Sequence, residues 1–209
     1  MSIAHEPLTL GPESAGTLMS PEEFDAVEDC DESFVYELIN GVLVVTPPPA
    51  EGERSLNDLL GQMLLNYRDT HPQGQAMSYT LAEHPIRTAN RRRADRVIWT
   101  GLGRIPNVRK KLPSVAIEIV SDRRRDRRRD LEAKRDEYRD ARIEEYWVID
   151  RFRRRLTVFR LLDAALPEQV LGEHETYTTP LLPGFELPLA VLFGEADRLE
   201  AAMREPEEQ

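Results

Sequence analysis

The chain has 209 residues, enough to bury one sizeable core with some decoration, and a second full domain is not expected at that length. Hydrophobic residues make up 40% and fit a globular chain; no apolar run nears the roughly 20 residues of a membrane helix, and no basic-then-apolar leader opens the sequence, so a cytoplasmic protein without a membrane is the expectation. Cys30 is the single cysteine, which excludes an internal disulfide and a cysteine-rich zinc site.

The net charge of −10 conceals an asymmetry. Residues 1–83 carry 2 basic and 15 acidic side chains (−13), 84–160 carry 24 and 12 (+12), and 161–209 carry 2 and 11 (−9). A basic middle between acidic flanks points to a polyanion site confined to one face, or to charge pairing within the chain.

Residues 1–18 show no periodicity and read as a flexible arm. Ser20-Pro21-Glu22-Glu23 is a capping box with proline at the first helical position, and Met19 with Phe24 can staple it, so a short helix to about Val27 follows. Phe34–Ile39 and Val42–Thr46 read as a hairpin around Asn40-Gly41. Leu56, Leu59, Leu60, Met63, Leu64 and Tyr67 then recur at helical spacing, predicting an amphipathic helix from about Glu53 to Asp69. Met77–Leu81, Ala94–Trp99 and Val115–Val120 follow as strands, with a loop over 101–113 before the third. A helix ending near Ala141 and strands Tyr146–Ile149 and Leu156–Leu161 come next, then a short helix around Glu195–Met203 and an acidic tail.

This order predicts an α/β (α+β) fold: a mixed central sheet flanked by helices, with 115–149 a right-handed crossover joining parallel strands. The expected division is an arm over 1–18, one domain over 19–195 with its core at 53–150, and a tail over 196–209.

The strand Val115-Ala116-Ile117-Glu118-Ile119-Val120 is apolar except at Glu118, where an ionised carboxylate costs several kcal/mol unless something compensates it. On the following helix, Leu131, Lys134, Tyr138 and Ala141 fall on one stripe, which turns Lys134 toward the sheet. The chain uses 25 Arg and only 3 Lys, so a lysine here is a departure from its habit. Asp95 opens the apolar strand Ala94–Trp99. If that strand neighbours 115–120, Asp95 and Glu118 converge with Lys134 above them. Two carboxylates suit Mg²⁺, which keeps several waters, and a lysine beside them can orient an attacking water or neutralise a phosphoryl group.

These residues resemble the PD-(D/E)XK nuclease superfamily, and within it the Uma-two (Uma2) family described as putative restriction endonucleases. The matching pieces are Tyr36–Gly41, Arg93-Ala94-Asp95-Arg96-Val97, Ile117-Glu118-Ile119-Val120-Ser121, Asp130 with Lys134-Arg135 and Tyr138, and Glu145–Asp150. The resemblance implies a restriction-endonuclease-like αβββαβ core, Asp95 and Glu118 as metal ligands, and the Ile119 carbonyl as a third. The simple motif puts its lysine two residues after the acid, where Val120 stands here, so the role passes to Lys134. Ala94 replaces the usual proline before Asp95, and Glu53 lies where many relatives carry a histidine.

The expected activity is hydrolysis of DNA by water activated on Mg²⁺, with Mn²⁺ as a substitute and with Asp95, Glu118 and Lys134 as the catalytic set. Each has a plainer counterpart: Glu118 a structural ion pair, Asp95 an ordinary strand start, Lys134 a snorkelling side chain. Glu37 is balanced between completing the metal site and bonding the hairpin, and Tyr138 is a packing residue with its hydroxyl near the site. Arg91, Arg93, Arg123, Arg125, Arg127 and Arg128 are candidate phosphate contacts, against a reading in which Asp122, Asp126 and Asp130 pair with their arginine neighbours. Cutting both strands would favour a homodimer, for which the sequence shows no self-complementary surface. The rival functions are a non-catalytic nucleic-acid-binding module on the same fold and a protein-interaction domain.

Overall fold

The computed structural model describes residues 9–120, 127–165 and 167–204, with the side chains of 127–130 outside that description. In chain order the elements are β1 (Thr9–Leu10), α1 (Pro21–Asp25), β2 (Asp29–Cys30), β3 (Val35–Ile39), β4 (Val42–Thr46), α2 (Glu51–Thr70), β5 (Met77–Arg87), β6 (Arg91–Thr100) and β7 (Val115–Ile119). They continue as α3 (Arg127–Asp140), β8 (Glu145–Asp150), β9 (Arg155–Arg160), β10 (Glu168–Gly172), β11 (Thr176–Tyr177), β12 (Leu187–Pro188) and α4 (Leu189–Arg204). The run α2-β5-β6-β7-α3-β8 is the expected αβββαβ order. Two compact units emerge: the chain up to Pro48 together with Pro85–Arg93, and Pro49–His84 together with the chain from Ala94 on.

In the first unit, the Ser20 hydroxyl accepts from the Glu23 amide at 3.1 Å and the Glu23 carboxylate accepts from the Ser20 amide at 2.6 Å, which starts α1 as the capping box predicts. Strands β3 and β4 pair from Val35↔Thr46 to Ile39↔Val42. Asn40 and Gly41 both take positive φ, 52° and 76°, as a two-residue hairpin turn with the strands' own twist requires. Leu10, Met19, Leu38 and Leu43 form a small core, with Phe24, Val27, Tyr36 and Val45 packed on it.

The arm read over 1–18 is tied down from residue 9. Thr9–Leu10 pairs with Asp29–Cys30, Leu10 is buried, the Tyr36 hydroxyl donates to its carbonyl at 3.1 Å, and Leu18 bridges to Val42. Pairings two residues long carry no periodicity, so nothing in the sequence announces them.

In the second unit the strands lie in the order β5-β6-β7-β8-β9-β10. β7 and β8 are parallel, joined through α3, and β6–β7, β8–β9 and β9–β10 are antiparallel. Ile117, Ile119, Trp147 and Ile149 enter one large core with Leu56, Leu60 and Leu64 of α2 and Leu189, Leu192 and Phe193 of α4. Strand side chains alternate, so Glu118, between Ile117 and Ile119, points to the opposite face. There Tyr138 of α3 meets Tyr146 edge-on at 5.2 Å, and Tyr146 stacks on Phe159 at 5.8 Å.

Two boundaries differ from expectation. β5 continues past Leu81 to Arg87; its alternation breaks at Glu83, whose left-handed φ of 49° is an irregularity that pairing survives and periodicity does not. The helix predicted near 195–203 begins at Leu189, and its stripe Leu189, Leu192, Phe193 and Ala196 is buried. Gly194 lies within it and lowers its intrinsic helix preference, so packing of the stripe is what sustains it. The segment read as a tail is therefore structured as far as Arg204.

Candidate functional site

The register of β6 on β7 sets Arg96 opposite Ile117 and Val97 opposite Ala116. One step further along the same register, Asp95 comes opposite Glu118. Directly opposed residues share a face, with Cβ atoms about 4.5–5.5 Å apart. The pairing of two strands is thus enough to converge two carboxylates 23 positions apart in sequence.

Above that face, α3 turns its stripe inward. Lys134 is 5% exposed and Tyr138 is fully buried. Lys134 Nζ donates to Glu118 Oε2 at 3.0 Å, and the Tyr138 hydroxyl reaches Glu118 Oε1 at 3.5 Å. The two donors stand four residues apart on one helix, so a single turn fixes both ends of the Glu118 carboxylate. Asp95 Oδ2 accepts from the Ile119 amide at 2.5 Å. Burial pushes the Asp95 carboxyl from its ordinary 3.8 up to about 7. The Ile119 amide and Lys134 oppose that rise, while Glu83 and Glu53 add to it by like-charge repulsion.

The other residues singled out in the sequence have different surroundings. Ile119 spends its amide on Asp95 and its side chain on the core. Glu37, in the first unit, accepts from the Arg93 amide at 2.8 Å. Arg91, a candidate phosphate contact, is engaged within the first unit. Its Nε and Nη2 each lie 2.9 Å from Asp25, and Nη1 donates to the carbonyls of Thr88 and Asn90. A fork already filled by a carboxylate and two carbonyls has little left for phosphate, and the same pairing holds the Asp25 carboxyl below its usual range. Arg123 and Arg125 lie outside the described residues, and Arg127 and Arg128 belong to the first turn of α3 with side chains outside the description.

Two side chains that sequence reading passed over stand behind the site. Asn57 on α2 donates to the Asp95 carbonyl at 2.8 Å and accepts from Arg96 Nε at 2.7 Å. Their signal was present: Asn57 and Gly61, four residues apart, interrupt an otherwise apolar stripe, and Arg96 sits in an apolar strand.

Part of the basic middle is neutralised within the second unit. Arg151 pairs with Glu200, and Arg154 pairs with Glu173 and with Asp197, the last at 2.9 Å. These acids come from the C-terminal flank, three of whose charges are thereby matched.

Among the described residues, no group of three or more His, Cys, Asp or Glu side chains is arranged to hold a metal, and no helix is long and apolar enough to cross a membrane. A cation at Asp95 and Glu118 would therefore rest on two carboxylates, a backbone carbonyl and water.

A search of solved structures finds the crystal structure of a putative nuclease belonging to DUF820 from Anabaena variabilis ATCC 29413, similar over 85% of this chain and 99% of that one, with a TM-score of 0.69 and 16% identity. At that identity the likeness shows the fold. No curated protein matches the chain. The family model described as "Putative restriction endonuclease" matches residues 21–190, and the chain belongs to that family, Uma2.

Proposed function

We propose that the protein is a Mg²⁺-dependent DNA endonuclease whose catalytic set is Asp95, Glu118 and Lys134. The observation that carries the reading is the partly buried Lys134–Glu118 pair, 3.0 Å apart, with Asp95 opposite Glu118 on the neighbouring strand. Packing alone has no use for two carboxylates and an amine on one sheet face, since apolar residues of similar volume would serve as well or better.

The donor set fits a hard cation. Asp95 and Glu118 offer oxygens, and an Asp95 carboxyl held near 7 by burial and by neighbouring acids is a group that a cation would return to its charged form. The N–H and C=O of one strand residue leave on the same side, so the Ile119 carbonyl faces the strand that carries Asp95, as its amide does. It is the third oxygen of the proposed set. When bound, Mg²⁺ would lower the pKa of a coordinated water and stabilise charge on a phosphate oxygen, and Mn²⁺ would serve the same end.

The chain's own groups do the rest. Glu118 and Asp95 would hold the cation on one face of the sheet. Lys134, beside Glu118, would orient an attacking water and offset charge on the phosphoryl group. Tyr138 keeps the Glu118 carboxylate from rotating. Water enters because Glu118 retains some exposure, its side chain being 12% accessible.

A second reading, in which the basic middle docks on the chain's own acidic flanks, has the Arg151 and Arg154 pairs in its favour. It narrows the surface left for phosphate and does not compete for Asp95, Glu118 or Lys134. The test is cleavage of plasmid and single-stranded DNA with Mg²⁺ or Mn²⁺: loss of cleavage in Glu118→Gln and Lys134→Met supports the mechanism, and equal cleavage by all three proteins defeats it. Salt-sensitive DNA binding without cleavage under any divalent ion would favour the non-catalytic module.

A further inference from the structure

The side of β6 that faces away from Glu118 holds a polar network inside the apolar core. Asn57 is 5% exposed and Arg96 is 6% exposed. Both ends of the Asn57 amide are engaged: Nδ2 donates to the Asp95 carbonyl at 2.8 Å, and Oδ1 accepts from Arg96 Nε at 2.7 Å. A guanidinium only donates and a carbonyl only accepts, so the amide has one orientation that satisfies both. The backbone carbonyl of Asn57 takes a second bond from Arg96, at Nη2, 2.9 Å away. Arg96 Nη1 lies 3.4 Å from the Thr80 hydroxyl, which itself donates to the Val97 carbonyl at 2.8 Å.

The space for the guanidinium is a notch in α2. At Gly61 a Cβ would stand 2.5 Å from Arg96 Nη2 and 2.8 Å from its Cζ, so a side chain there would push the guanidinium from its seat. One turn of helix therefore supplies an amide at position 57 and an absent side chain at 61, and the strand supplies the arginine that fills the gap. Burying a cation against amide, hydroxyl and carbonyl oxygens is costly compared with an apolar residue. What the arrangement achieves is a grip on one peptide group, the link between Asp95 and Arg96. Its carbonyl is held by Asn57, and the next side chain along is held by the same residue.

In a strand the orientation of the peptide planes sets the direction of the Cβ between them. We infer that Asn57, with Arg96 seated in the Gly61 notch, is a positioning residue: it fixes the Asp95 backbone so that the carboxylate meets the Ile119 amide opposite Glu118. Its consequence for cleavage rests on the nuclease reading; the geometric claim does not. Asn57 touches neither DNA nor cation and acts through Asp95.

The discriminating variant is Asn57→Asp. The new carboxylate still accepts from Arg96 Nε, now with opposite charge, so the fold is retained. Its other oxygen cannot donate to the Asp95 carbonyl and repels it. Three readouts follow: hydrogen exchange of the Ile119 amide compared with that of Ile117 on the same strand, Mn²⁺ affinity of the protein alone, and kcat against KM for DNA. The expected result is a Tm close to that of the parent, exchange at Ile119 about tenfold faster with Ile117 unchanged, weaker Mn²⁺ binding, and a kcat lowered about tenfold or more at unchanged KM. Parent-like exchange at Ile119 together with parent-like Mn²⁺ affinity in folded Asn57→Asp overturns the inference.

Gly61→Ala attacks the far end of the same network, pressing on Arg96 while leaving Asn57 in place and favouring the helix. It should speed Ile119 exchange by a smaller factor, and it decides the matter should Asn57→Asp fail to fold: parent-like Ile119 exchange in folded Gly61→Ala then overturns the inference. If the parent protein cuts no DNA, the nuclease reading fails, and the Ile119 and Mn²⁺ measurements still decide the positioning role.

Discussion

Two glutamates on neighbouring strands of the second unit, one buried and one partly buried, meet opposite fates. Glu145 on β8 is 3% exposed and receives the Trp147 indole at 2.8 Å, the Tyr177 hydroxyl at 2.9 Å and the Thr179 hydroxyl at 2.8 Å. Glu118 on β7, facing the other side of the sheet, is met by Lys134 at 3.0 Å and by Tyr138 at the outer limit of hydrogen bonding. Three neutral donors at ideal distance satisfy a carboxylate for good, and here they also fasten residues 177–179 to the sheet. A lysine satisfies it conditionally, because a mobile ammonium can be displaced by another cation. The comparison teaches that burial alone does not mark a functional acid; the kind of donor does.

The largest effect expected from breaking this contrast is on cleavage. Glu118→Gln should lower kcat by two orders of magnitude or more, on the scale of losing a charged group at a reacting centre, whereas Glu145→Gln should leave kcat within about threefold. Rates measured on plasmid DNA under saturating Mg²⁺ check both. Stability should respond at both sites. In Glu145→Gln an amide NH₂ faces a donor it cannot accept from, costing about 1–3 kcal/mol by urea unfolding. Lys134→Met removes the Nζ donor 3.0 Å from Glu118 Oε2 and should cost a comparable ~3 kcal/mol by the same measurement.

The Asp95 carboxyl gives a third prediction with a definite sign. Its folded value of about 7 lies above the ordinary 3.8, so the folded chain binds this proton more tightly than the unfolded one. The favourable contribution is fully present below about 3.8 and is lost as pH rises through 7. The full shift would correspond to ~4 kcal/mol, reduced to about 2 because Asp95 keeps some contact with water. Compared in metal-free buffer with Asp95→Asn, which lacks this titration, the parent should lose about that much stability between pH 4 and pH 8. Divalent cation affinity should rise over the same interval, as cation and proton compete for one carboxylate.

The smallest effect belongs to the arginine pairs with α4. Asp197→Asn removes one partner of the half-exposed Arg154 and should cost about 0.2–1 kcal/mol, less in high salt, with cleavage unchanged. A large loss of cleavage here would shift weight from the sheet site to the Arg154 surface.

Much of the fold was readable because its elements carry strong local signals. Asn40-Gly41 dictates a hairpin, Ser20 with Glu23 dictates a helix start, and the apolar stripe from Leu56 to Tyr67 dictates α2. The site was readable through one anomaly, a glutamate in a β-branched run, followed by a lysine at helical spacing. What escaped depends on three-dimensional partners. The two-residue pairing of Thr9–Leu10 has no pattern to detect. Asn57 and Gly61 interrupt an apolar stripe and Arg96 an apolar strand, but that the three meet appears only when helix and strand are laid together. Glu145 opens the Glu145–Asp150 motif, but its three donors lie at 147, 177 and 179, two of them beyond any local window. The arginines at 123–128 were legible as charge and no further.

The central claim is that a divalent cation binds between Asp95 and Glu118. Anomalous diffraction from crystals soaked in Mn²⁺ tests it most directly. A peak within coordination distance of both carboxylates and of the Ile119 carbonyl, with Lys134 Nζ moved off Glu118, is the predicted result. A protein that cleaves DNA in Mn²⁺ while its crystals show no peak there, or show it elsewhere, would contradict the account.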